Sequence, residues 1–377
     1  MTTLKNLVLF AWLATVSAVH SAPSFIESGE PGLRLEIVVD DIAVPWGLEF
    51  LPDGKLLYTE RARAHLTVFD PVTGEKSLIS GIPKLYTRDQ GGLLDIELHP
   101  NFASNQILFL SYSARRGNRQ TTIVARAQLR DRALVNLEEI FVAQPFFSTS
   151  KHFGSRLEFN NDHLYISVGD RHQRPAVQSL ETHIGKILRI NEDGSVPDDN
   201  PYVAMQNKGL RGEIFSYGHR NPQGMATHPV SGEIWIHEHG PKGGDEINIV
   251  RRGRNYGWPV ITYGDEYSGG PVGRGLSHEE GMEQPLYYYK PSIAPSGMMF
   301  YSGDKFPAWR GNLFIGSLVL AHLNRLELEG EKVVREHRLF ENRGWRIRVV
   351  RQGPDGYIYF ATDAGFIARI LPVEESS

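Results

Sequence analysis

Apolar and polar positions along the chain fall into short runs separated by turn residues, and one such unit recurs six times. "WGLEFLPDGKLLYTER" begins at Trp46, "LLDIELHPNFASNQILFLSYS" at Leu93 and "SRLEFNNDHLYISVGD" at Ser155. "QGMATHPVSGEIWIHEHG" follows from Gln223, "SGMMFYSGDKFPAWRGNLFIGSL" from Ser296 and "IRVVRQGPDGYIYFATDAG" from Ile347. Each unit is an apolar strand, a turn rich in Pro, Asp, Asn and Gly, then a second apolar or aromatic strand. Such turn residues supply the backbone angles that a hairpin needs. The units recur at intervals of roughly 50 to 70 residues, room for about four strands each in a propeller blade. A β-sandwich is the rival, but closely similar hairpins at blade-like spacing favour an all-β, six-bladed β-propeller. No stretch sustains helical periodicity and no Pro/Gly/Ser linker divides the chain, so residues 22–377 read as one domain.

The N-terminus breaks this pattern. Lys5 precedes an apolar run, Leu7 to Val16, too short to span a bilayer. Small residues at Val16-Ser17-Ala18 and Val19-His20-Ser21 offer cleavage sites. Residues 1–21 therefore read as a secretory signal peptide, and the absence of a twin-Arg pair favours the general export route to the periplasm. No other segment is long and apolar enough for stable membrane insertion. The chain has no Cys, which excludes disulfides and thiolate metal sites. At 41% hydrophobic and 22% charged it is an ordinary globular composition. A formal charge of −4 gives no footprint for nucleic acid.

Blades of a propeller converge on an axis, so candidate chemistry is sought between hairpins. "SYGHRNPQGMATHP", Ser216 to Pro229, sets Arg220, Asn221 and Gln223 among Gly and Pro on a stiff loop. Arg346 and Arg348 alternate onto one strand face, and with Arg220 would form a cluster of guanidinium forks that binds carboxylate or phosphate at two points. The plainer reading is arginines paired with nearby acids. His152, just before a strand, is the best general base, since imidazole titrates near neutrality; a lone loop His is also commonly structural. His237 and His239 alternate on a strand, but no third zinc ligand lies nearby. "GPKGGDEIN" places Asp245 and Glu246 behind glycines that expose carbonyls, hard oxygen donors that suit calcium, with Asp265 a short way on. No nucleotide-binding glycine motif and no G-x-S-x-G elbow is present.

"PWGLEFLPDG", "QGGLLDIELHPNF", "HFGSRLEF", "GKILRINEDGSVPDDNP", "SYGHRNPQGMA", "EHGPKGGDEIN", "GRNYGWP" and "GPDGYIYFATD" together resemble the soluble PQQ-dependent sugar dehydrogenases, in particular their periplasmic aldose sugar dehydrogenase branch. The resemblance runs from about Pro45 to the end of the chain. It implies a six-bladed propeller that holds pyrroloquinoline quinone (PQQ), a cofactor with three carboxylates. It implies His152 as catalytic base, with Arg220, Asn221, Gln223 and Gln90 as cofactor contacts. Arg346 and Arg348 would hold the carboxylates. The carbonyls of Gly240 and Pro241 would bind the calcium that polarises the quinone, and Glu246, Tyr256 and Asp265 a second, structural calcium. Family members often carry a cofactor-contacting Lys where this chain has Val319.

The expectation is thus a periplasmic enzyme, monomer or homodimer, that oxidises the anomeric hydroxyl of aldoses to lactones. His152 would take the hydroxyl proton, and Arg220 with calcium would stabilise negative charge on the quinone. Electrons would pass on to an unidentified acceptor. Two alternatives stand beside it. A calcium-dependent lactone hydrolase would need no quinone and little use of Arg346 and Arg348. A non-catalytic propeller that binds carbohydrate or protein would have lost its cofactor contacts, and Val319 is the residue that speaks for it.

Overall fold

The computed structural model describes residues 24–373, so the expected leader at 1–21 lies outside the described residues. Each repeated unit folds as an antiparallel hairpin. The first strands are Pro45–Phe50, Leu93–Leu98, Leu157–Asn160, Pro222–Thr227, Pro295–Phe300 and Ile347–Gln352. Their turns work as the residue types require. Asn161 and Asp162 adopt φ of 48° and 62°, the left-handed pair of a two-residue hairpin turn. Gly54 and Gly356 take φ of 83° and 79° where "PDG" reverses the chain.

Every hairpin forms the inner half of an antiparallel sheet, and the described strands make six sheets. Five have four strands in sequence order. The sixth starts from Ile347–Gln352, Ile358–Thr362 and Phe366–Pro372 and is completed by Leu33–Val39 and Ser24–Glu27 from the other end of the chain. Leu35 pairs with Ile370 in that register. The six first strands pack side by side in chain order, the sixth against the first, and so surround one axis. This is the six-bladed β-propeller.

Apolar layers fill the space between neighbouring blades. Phe109, Leu164, Leu188 and Ile214 form one such layer, and Phe314, Ile347, Phe360 and Ile370 another. Each fully buried side chain of this size contributes about 1.5–3 kcal/mol, so the inter-blade layers supply the cohesion that absent disulfides cannot.

One local irregularity shapes the axis. Five of the six inner strands shift register near their start, at Pro45/Leu48, Leu93/Ile96, Pro222/Gly224, Ser296/Met298 and Ile347/Val349. A bulge re-aims side chains and frees backbone groups from the ladder. Here the bulged residues include Trp46, Leu94, Gln223 and Arg348, all of which line one axial cavity. The carbonyls of Trp46, Gln223 and Arg348 accept hydrogen bonds from Arg156, at 3.0, 2.7 and 3.3 Å. Arg156 also pairs with Asp95 at 3.0 Å and lies 3.8 Å over the Trp46 ring. It ties together three of the inner strands whose residues line the cavity. Near the far ends of the inner strands, Glu49, Glu97 and Glu158 gather around Arg351, and burial pushes all three carboxyls above their usual range.

Candidate active site

The cavity at the bulged end holds about 330 Å³, within the range of small-ligand sites. Gln90, Asn221, Gln223, Arg346 and Arg348, which come from three different blades or their connections, all line it. Sequence-distant loops therefore meet as a propeller requires. Their order is set by hydrogen bonds between loops. Asn221 Oδ1 accepts from Gly154 N–H and from Gln223 Nε2, both at 3.3 Å. Gln90 Oε1 accepts from His152 N–H at 2.7 Å.

His152 stands beside this cavity, at 7% exposure, and its backbone is unusual. Its φ of 55° lies in the left-handed region, which a side chain adopts at a cost. Neighbours over-determine that conformation. A Cβ on Gly169 would strike the carbonyl of His152, and one on Gly154 would meet the backbone of Ser167 and Gly169. The ring is fixed as well. Nδ1 lies 2.7 Å from Asp170 Oδ1, while Asp170 Oδ2 accepts from Trp258 Nε1 at 2.9 Å. The carboxylate makes Nδ1 the protonated nitrogen and leaves the Nε2 lone pair free to accept a proton. His172 Nε2 faces it at 3.2 Å, within hydrogen-bond reach.

The electrostatics favour a neutral ring. Burial, aided by the Arg220 charge, pushes His152 down to about 4 against the pull of Asp170. Burial alone would raise Asp170, but the bond to His152 and the Arg220 charge hold it below its ordinary value. Asp170, Trp258 and His172 did not stand out in the sequence. Their signal, a His and an Asp in "GDRH" directly after a hairpin strand, carries meaning only once His152 is beside it.

Arg220 lines a small hollow with Glu238 and Glu246, and is not among the residues lining the cavity of Arg346 and Arg348. Its backbone N–H donates to Glu238 Oε2 at 2.5 Å and its guanidinium to the His239 carbonyl at 3.0 Å, while Nε is buried without a partner. Arg346 and Arg348 follow the plainer reading in part. Both pair with Asp363, at 3.1 and 2.8 Å, a carboxylate from the next strand end that sequence reasoning missed. Arg61 lines the same cavity and was also missed. His237 and His239 bond to the carbonyls of Gly297 and Pro295 in the next blade, as packing residues do.

The metal expectations divide. Among the described residues no group of three or more His, Cys, Asp or Glu is arranged to hold a metal. Gly240, Glu246 and Tyr256 do line one small hollow, together with Glu238 and Arg220. Gly240 and Pro241 are buried, and neither carbonyl accepts a hydrogen bond among the described residues. Burial and the neighbouring Glu238 push Glu246 up to about 8, the mark of crowded anions that a cation would relieve. Oxygen donors of this kind suit calcium. The Tyr256 hydroxyl is taken, donating to the Ile249 carbonyl at 2.5 Å, so its contribution would be its own carbonyl. Asp265 is not brought to this hollow. It lines another with Tyr263 and pairs with Lys290 at 3.1 Å. Asp245 is also consumed, since it accepts from Gly240 N–H, Ser292 Oγ, Ile293 N–H and Ala294 N–H.

Known proteins share this sequence and shape. Residues 42–369 match the family model described as Glucose / Sorbosone dehydrogenase. The chain is 40% identical over 375 residues to "Aldose sugar dehydrogenase YliI" of Escherichia coli (strain K12), covering 98% of this chain and 99% of that one. It superposes on the soluble aldose sugar dehydrogenase from Escherichia coli in the apo-form with a TM-score of 0.87 and 41% identity, over 90% of this chain and 100% of that chain. The PQQ-bound form of aldose sugar dehydrogenase from Streptomyces coelicolor gives 0.73 and 25%, over 90% and 99% of the two chains.

Proposed function

Because the chain belongs to the Glucose / Sorbosone dehydrogenase family, we propose that it is an exported quinoprotein that oxidises the anomeric hydroxyl of aldose sugars to lactones. PQQ and calcium are its cofactors in this reading. The donor chemistry supports both: a cavity lined by three arginines suits a polycarboxylate, and unbonded buried carbonyls beside Glu246 suit a hard cation. Gln90, Asn221, Gln223, Arg346 and Arg348 would hold the quinone, with Gly240 and Pro241 binding the metal next to Arg220. When bound, PQQ supplies an acceptor for the hydride that leaves the sugar carbon.

The protein's own part is proton transfer and charge. His152 Nε2 takes the hydroxyl proton, while Asp170 keeps Nδ1 protonated and steadies the imidazolium that results. His172 offers that proton a way out, because its Nε2 already faces the base. Arg220, with its buried unpartnered Nε, donates to negative charge that develops beside it. The stiff "HRNPQ" segment presets these groups and so lowers the entropy cost of assembling the reaction.

The observation that carries this reading is an Asp-oriented imidazole beside a cavity lined by guanidinium groups. Residues 1–21 would direct export to the periplasm, and residues 22–377 form the single catalytic domain, with electrons leaving to a separate acceptor. No helix among the described residues is long and apolar enough to cross a membrane. The test is to express the mature protein without cofactor, add calcium and PQQ, and follow dye reduction with several aldoses. Quinone-dependent reduction is expected. Lactone hydrolysis without quinone would instead favour the hydrolase, and absence of both quinone uptake and turnover the non-catalytic propeller.

A further inference from the structure

Arg61 follows the strand Leu56–Glu60 and is held from both sides by backbone bonds. Its N–H donates to the Val44 carbonyl at 3.1 Å, and its own carbonyl accepts from Leu93 N–H at 3.2 Å. The side chain therefore leaves from a fixed point into the axial cavity. Among the described residues its guanidinium makes no hydrogen bond and no ion pair, and Nε is buried without a partner. The other two arginines of that cavity differ, since Arg346 and Arg348 share Asp363. Asp89 lines the cavity as well, but its carboxylate accepts from Ser150 Oγ at 2.9 Å. Three guanidiniums thus face two carboxylates, and the unmatched charge belongs to Arg61. Burial, with repulsion from Arg348, lowers Arg61 to about 10. A buried donor without an acceptor is costly, and like charges held together by a rigid frame favour an anion between them. Val319, exposed at the rim of the same cavity, brings no charge.

We propose that Arg61 is a further cofactor-binding residue of the cavity, giving a charge-assisted hydrogen bond to a carboxylate of the bound quinone. The inference rests on the quinoprotein reading. It assigns the third cation of the site to the first blade, far in sequence from Arg346 and Arg348.

The experiment is calorimetric titration of cofactor-free protein with PQQ in calcium, for the parent, Arg61→Gln and Arg61→Lys. PQQ trimethyl ester, which lacks the negative charges, is titrated in parallel. Arg61→Gln is expected to weaken PQQ about 10- to 100-fold, the loss of one charge-assisted bond. Arg61→Lys should recover part of that loss, and the ester should bind the parent and the Gln variant alike. Arg61→Met serves in the same comparison should the Gln variant not fold. A Gln variant that binds PQQ like the parent overturns the role of Arg61 and leaves the quinoprotein reading intact. An equal loss for PQQ and ester overturns it too, because the side chain would then act through shape. No uptake of PQQ by folded parent overturns both.

Discussion

Arg156 bonds to the carbonyls of cavity residues and Arg61 lines the same cavity, yet they are opposite kinds of arginine. Arg156 has its Nε and both terminal nitrogens engaged, by three carbonyls and the Asp95 carboxylate. Arg61 has none engaged. A guanidinium whose donors are all used ties strands together; one whose donors are idle in a cavity is set for a ligand. The same contrast runs along the axis. The bulged end gathers arginines with spare donors, and the far end gathers Glu49, Glu97 and Glu158 around Arg351. Burial of an arginine says little by itself, and the count of its partners says what it is for.

The largest effect expected bears on the ligand side. His152→Ala should lower kcat/KM about 10²- to 10⁴-fold, the usual contribution of a general base, with PQQ affinity by calorimetry unchanged. Undiminished turnover would remove the base and leave the cavity's binding role standing. Next is the fully engaged arginine. Arg156→Met should cost about 3–5 kcal/mol in denaturant unfolding, because it strands Asp95 as a buried unpaired charge. Arg61→Gln should stay within about 0.5 kcal/mol of the parent in the same measurement. Similar losses for the two would erase the distinction drawn between them.

Calcium comes third. At a hundredfold excess over its dissociation constant it should add about 2.7 kcal/mol to unfolding, and a chelator should remove that gain. Proton and cation compete for Glu246, whose carboxyl is pushed up to about 8, so the gain should grow as pH rises toward that value. Glu246→Gln should abolish this pH dependence. A subtler effect concerns His152. Its folded value, about 4, lies below the ordinary 6.5, so the unfolded chain binds the extra proton between them. Its contribution to stability is present above about 6.5 and is lost as pH falls toward 4. The pH profile of kcat/KM should likewise show its acid limb near 4 and not near 6.5. Smallest is Asp265→Asn, which breaks only a half-exposed pair with Lys290 and should change stability by about 0–1 kcal/mol. A large loss of calcium response in that variant would bring Asp265 back among the ligands.

The inner half of every blade was legible in the sequence, because its turns use residues with few other roles: "PDG", "NND" and "HPVSG" each mark a reversal. The outer strands were not. Lys332–Leu339 mixes exposed and half-buried positions in no regular alternation, so its place depends on pairing with Leu323–Glu329 more than on its own pattern. The final blade's two extra strands were invisible for the same reason, since nothing near Leu33–Val39 announces a partner at the other terminus. At the site, Gln90, Asn221, Gln223, Arg346 and Arg348 were legible as chemistry and the structure brings them to one cavity. Asp170 and Trp258 were not, as their meaning comes from a contact spanning 88 residues. Asp265 is different: its backbone bridges Lys242, close to Glu246, but its carboxylate pairs with Lys290 and lines a separate hollow, which nearness along the chain could not reveal.

The clasp between Leu33–Val39 and Phe366–Pro372 bears on how such a ring is made. Glu36 and Arg369, which bond across it, are 333 residues apart. A nascent chain cannot shut the circle until its last strand has emerged, so the earliest blades wait with open flanks and depend on protection from wrong neighbours. Moving the termini to the protruding turn at Val230 would replace that late fastening with a covalent join and shift the seam to the fourth blade.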